Sequence, residues 1–125
     1  MQKIDAFKFV SNLDSFQQPQ AWIVRLPKGI ATKNELLVLF YEKLKFPEQF
    51  GYNWDALFDC LRDLNWIDER LISIIHEDLP LIDVNELRKY LALLADAIMS
   101  WKPGDQHQLE VVFQESLREK VISFF

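Results

Sequence analysis

The chain has 125 residues, 50% of them hydrophobic, with 19 Asp and Glu against 14 Lys and Arg and a formal charge of -5. That length and apolar content suit one domain around one core, and the acidic balance excludes unaided binding to nucleic acid, whose phosphates demand clustered Lys and Arg; a basic partner fits better. The lone cysteine, Cys60, can close no internal disulfide, the N-terminus MQKIDAFKFV lacks the features of a secretory signal, and apolar runs such as Leu36 to Tyr41 fall far short of a bilayer span, so a cytoplasmic chain without membrane segments is expected.

In chain order, Asp5 to Phe16 places Phe7, Val10 and Leu13 three apart, a spacing that predicts a short helix in an N-terminal appendage, and Gln17 to Gln20 with Pro19 interrupts it. Ala21 to Leu26 (AWIVRL) is short, aromatic and β-branched, a strand ended by Pro27 to Gly29. Thr32 followed by Glu35 forms a capping box, and Leu36, Leu37, Phe40 and Leu44 continue at helical spacing until Phe46-Pro47. After Gly51, Asn53 caps a helix whose stripe is Trp54, Leu57, Phe58, Leu61 and Leu64. Leu71 to Ile75 reads as a buried strand. Asp83 and Glu86 open a long helix with Val84, Leu87, Leu91, Leu94, Ile98 and Trp101 on one side, closed by Pro103-Gly104. Leu109 to Phe113 is a third strand, and Leu117, Val121 and Phe124 predict a last helix over Glu115 to Phe125. Three short strands separated by helices imply an α/β layer fold with a small, largely parallel sheet.

The usual catalytic signatures are missing. The glycines at 29, 51 and 104 lie in no phosphate-binding loop, and there is no GxSxG or HExxH. His76 and His107 are isolated and read as ordinary surface or strand-end residues, and Cys60 as a small buried hydrophobe rather than a nucleophile. No enzyme activity and no cofactor are expected. A metal at Asp55, Asp59 and Asp63 would draw three carboxylates from one helix with no converging ligand, short of what a hard cation wants, so no metal site is assigned.

That acidic row is nonetheless the informative feature. Neighbouring like charges at i,i+4 cost about 0.2–0.5 kcal/mol. Asp55 gains from the dipole and free N–H groups of the first turn, whereas Asp59 lies beyond that benefit and nothing basic stands between the two. Beside the row sit Trp54 and Phe58, an aromatic and acidic mixture resembling the anchors of protein interfaces, with core packing as the competing role, above all for Trp54.

FPEQFGYNWDALFDCLRDLNW, Phe46 to Trp66, closely resembles the signature segment of the barstar family of intracellular ribonuclease inhibitors. The resemblance implies a three-stranded parallel sheet packed with helices, and one domain over residues 1–125 with a short N-terminal extension (about 1–20) and a C-terminal helix (about 115–125). It implies a non-enzymatic inhibitor, or immunity protein, that blocks a basic ribonuclease or nuclease toxin, without contacting nucleic acid or membrane itself. Asp59 matches the acid that enters the enzyme's phosphate site, Asp55 a second contacting acid, and Gly51 and Asn53 interfacial loop residues. Trp54 stands in a leucine position and Phe58 in that of an interfacial tryptophan, and Asp96 aligns best with a contacting acid on the long helix. Gln49 replaces an interfacial tyrosine and Tyr52 an acid, departures that admit a different toxin or, as an alternative, a barstar-fold interaction module with a non-nuclease partner. A monomer is the expected state.

Overall fold

A computed structural model describes residues 2–125. The strands are β1 (Lys8–Val10), β2 (Trp22–Leu26), β3 (Leu71–His76) and β4 (Gln108–Gln114), and the helices α1 (Lys33–Lys43), α2 (Trp54–Asp63), α3 (Val84–Ser100) and α4 (Arg118–Ile122). All neighbouring strands pair in parallel, in the order β1-β4-β3-β2. The sheet thus has four strands, which corrects the three-stranded expectation: Lys8–Val10 is not part of a helix over Asp5–Phe16 but an edge strand whose Phe9 lies opposite Phe113. The i,i+3 spacing of Phe7, Val10 and Leu13 imitated a helix, while the same stretch also alternates as FKFV; pairing with β4, remote in sequence, decides between the two periods. Only 3-10 turns, Lys3–Ala6 and Leu13–Ser15, flank the strand.

Alternation along the central strands sorts their side chains between two layers. Val24, Leu26, Ile72, Ile74, Leu109, Val111 and Phe113 join α1, α2 and α3 in the main core through Leu36, Phe40, Leu57, Leu61, Tyr90 and Leu94. On the opposite face Ile75 and Val112 pack with Leu13, Val10 and Phe16, so the N-terminal segment roofs the second face of the sheet. The polar residues of that face are joined as well. Glu110, 6% exposed, pairs with Lys8, accepts from Ser73 Oγ at 2.8 Å, and receives Gln18 Nε2 at 3.3 Å on both oxygens. A carboxylate taken from water needs such partners.

The C-terminal segment is a 3-10 turn, Glu115–Leu117, running into α4. Val121 is fully buried, Phe125 packs edge-on against Phe7, and the Arg88 guanidinium lies over the Phe124 ring at 5.7 Å. Both terminal segments therefore meet around Phe7, which also contacts Phe113 edge-on at 5.3 Å.

The two histidines are not on the surface. His76 ends β3 with its Nε2 2.7 Å from the Tyr90 hydroxyl, and burial pushes its pKa down to about 3, so the ring is neutral at ordinary pH. His107, also buried, lies against Trp101 and bonds through Nδ1 to the Glu69 carbonyl at 2.9 Å.

Candidate protein-docking face

The helix α2 starts where the sequence says it should. The Asn53 side chain accepts from the Ala56 N–H at 2.8 Å, and its amide donates back to the Gly51 carbonyl at 3.3 Å. Gly51 gives this cap room, because a Cβ there would come within 3.2 Å of Asn53 Nδ2. Tyr52 between them takes a left-handed backbone, φ 51, and is 41% exposed, with its ring 4.9 Å from Phe50 and 5.5 Å from Tyr41. At the other end Leu64, fully buried, closes the helix in the left-handed conformation.

Leu57 and Leu61 sink the inner side of α2 into the core, which turns Asp55, Asp59 and Asp63 outward, all exposed. The Asp59 side chain is 72% exposed, and its repulsion is met within the chain: Arg62, one turn on, reaches Asp59 Oδ1 at 2.9 Å while its guanidinium lies 4.1 Å from the centre of the Phe58 ring. The compensating cation stands at i,i+3 beyond Asp59 rather than between the two acids.

Trp54 joins α2 to α3. Its indole N–H donates to Glu86 Oε2 at 2.6 Å and its ring lies 5.6 Å from Tyr90. Lys33, at the start of α1, stands 4.8 Å above that ring and 3.4 Å from Glu86, and Lys89 approaches the same carboxylate at 3.9 Å. The indole hydrogen bond, followed by the two lysines, holds the Glu86 carboxyl below its usual range. Glu86 and Lys89 form a local i,i+3 pair on α3, whereas Lys33 and Trp54 join them only when the three helices meet.

Between α2 and α3 runs an open groove of about 580 Å³. Asn53, Trp54, Asp55, Phe58 and Asp96 all line it, so five of the seven expected contact residues come together; Gly51 and Asp59 lie outside its lining. Asp96 is held by Lys3 at 3.1 Å, an exposed ion pair from the N-terminal segment. The other walls are Lys33, Lys89, Ala92 and Leu93.

The Cys60 thiol is pushed up to about 11, first by burial and then by Asp63 and Asp59, which leaves it protonated at neutral pH. Among the described residues no three His, Cys, Asp or Glu side chains converge on a metal position, and no helix is long and apolar enough to cross a membrane.

Residues 23–114 match the family model described as Barstar (barnase inhibitor), a family of non-catalytic inhibitor proteins. No curated protein matches the chain. The matched span takes in β2 from Ile23 through β4 and every residue lining the groove, and leaves out β1, α4 and Lys3, the partner of Asp96.

Proposed function

The chain belongs to the barstar family, and from that premise we propose that it inhibits a ribonuclease by setting the acidic outer side of α2 and the adjoining groove into the enzyme's basic active site. One observation carries the reading: Asp55 and Asp59 are both exposed on a helix whose opposite side is fixed in the core, so packing consumes neither carboxylate. A nuclease active site is built to attract polyanions. Two fixed carboxylates stand in for RNA phosphates there, steering encounter and gaining charge-assisted hydrogen bonds on docking. Asp59 takes the enzyme's phosphate site, Asp55 a neighbouring cation, and Asp96 a cation across the groove. Gly51 and Asn53 support the edge of the contact, and Phe58 with the flank of Trp54 supplies its apolar part.

Tyr52 supports a second reading, a barstar-fold interaction module for a non-nuclease partner. It presents an exposed aromatic ring just before the motif helix, where an acid would serve a nuclease better. Coexpression separates the two. Cells induced to make small basic ribonucleases, barnase among them, should survive with the wild-type chain and die with Asp55→Ala/Asp59→Ala. Failure to protect against any of them, with capture only of partners lacking nuclease activity, would favour the module.

A further inference from the structure

The groove is not uniformly acidic. Lys33 and Lys89 share a single carboxylate, Glu86, whose Oε2 also accepts the Trp54 indole, so two ammonium groups stand against that one carboxylate. Asp55, next in sequence to Trp54, has no ion-pair partner among the described residues, and Asp96, two turns along α3 from Lys89, has only the exposed Lys3. Phe58 lines the groove one turn of α2 beyond Trp54. Lys89 is 65% exposed and tethered only at 3.9 Å, so its ammonium is free to meet an incoming group.

We propose that the partner presents a carboxylate to Lys33 and Lys89 beside the basic residues it presents to Asp55 and Asp59, and that these two lysines select among basic nucleases. This rests on the docking reading above and deepens it, since it names a required feature of the partner. A uniformly cationic rim would meet like charge at Lys33 and Lys89. Juxtaposed like charges suppress wrong partners, whereas a partner carrying an acid next to its phosphate-binding cations matches both signs of charge at once. Lys33 is constrained over the Trp54 ring, so its ammonium is largely organised before docking.

A library of random loops displayed on a small scaffold tests this without the natural partner. Loops are selected on the wild-type chain, and only those that lose binding to Phe58→Glu, which obstructs the groove, are counted. The expected result is enrichment of Asp or Glu a few residues from Arg or Lys. On Lys33→Gln/Lys89→Gln the acidic enrichment should fall to library background, with the best wild-type loop bound roughly tenfold more weakly, while basic enrichment persists. On Asp55→Asn/Asp59→Asn the basic enrichment should fall instead. A melting curve checks each variant, and Lys89→Gln alone replaces the double variant if removing Lys33 from Trp54 unfolds the chain. The proposal is overturned if no groove-dependent loops emerge, or if acidic enrichment is absent or survives loss of the lysines. Basic enrichment that ignores Asp55 and Asp59 would overturn the docking reading instead.

Discussion

Arg62 lies 2.9 Å from Asp59 and covers the Phe58 ring at 4.1 Å, so one side chain occupies both the exposed acid and the aromatic surface expected at the interface. An exposed pair of this kind contributes about 0–1 kcal/mol to the fold, because water already screens it and ordering the side chains costs entropy. A partner cation that replaces Arg62 therefore has little to overcome.

Removal of Arg62 should favour docking. Arg62→Ala is expected to shift stability by no more than about 1 kcal/mol, while a basic nuclease associates faster, because one positive charge has left the docking face. Stopped-flow association at low and at physiological salt reads this directly. A slower association with Arg62→Ala would mean that the arginine is itself a contact.

The indole bond from Trp54 to Glu86 fastens the motif helix to α3. Trp54→Phe keeps a ring on Tyr90 and deletes the donor, so a lower stability is expected, moderated by the water that also reaches Glu86. Urea denaturation at pH 7 measures it. An unchanged midpoint would show that Lys33 and Lys89 satisfy Glu86 unaided.

The buried His76 ties stability to pH. Its pKa falls from 6.5 unfolded to about 3 folded because burial penalises the imidazolium. The unfolded chain takes the proton first, so this contribution is complete above pH 6.5 and drains away as pH drops from there toward 3. Denaturation midpoints at pH 7, 6 and 5 should decline, at a limiting slope of about 1.4 kcal/mol per unit once the unfolded histidine is protonated. A variant such as His76→Gln should be less stable at pH 7 and lose most of that slope between pH 6.5 and 5.

The N-terminal segment is expected to be a stability element through Glu110. Lys8→Met leaves that buried carboxylate with Ser73 and Gln18 alone and should cost about 1–3 kcal/mol. Adding Glu110→Gln should recover much of the loss, because a neutral amide still accepts from Ser73 Oγ. A double-mutant cycle by calorimetric melting gives the coupling; additive losses would mean that the ion pair is incidental.

Much of this structure is legible in short-range signals. Thr32 accepts from the Glu35 N–H at 3.0 Å while Glu35 reaches back to the Ala31 N–H at 3.2 Å, one residue from the expected box, and Asn53 and Asp83 cap α2 and α3 as read. The strands after residue 20 lie within a residue of their expected limits, since each is a compact apolar run between turns. What escapes is non-local. β1 becomes a strand only against β4, Glu110 is satisfied by residues from three distant segments, and the burial of His76 depends on Tyr90 and Phe113 closing over it. At the candidate face the acids and Phe58 follow from the motif and Glu86–Lys89 is a local i,i+3 pair, whereas Lys33 reaches Glu86 through helix packing alone.

The most direct measurement is calorimetric titration of a ribonuclease that the chain neutralises in coexpression, using wild type and Asp59→Ala, with melting curves for both proteins. Asp59→Ala should melt within a few degrees of wild type, because only the exposed pair with Arg62 is lost, and bind at least about 2 kcal/mol more weakly, roughly thirtyfold. Binding of the folded variant that equals wild type would contradict a docking mechanism centred on the carboxylates of α2.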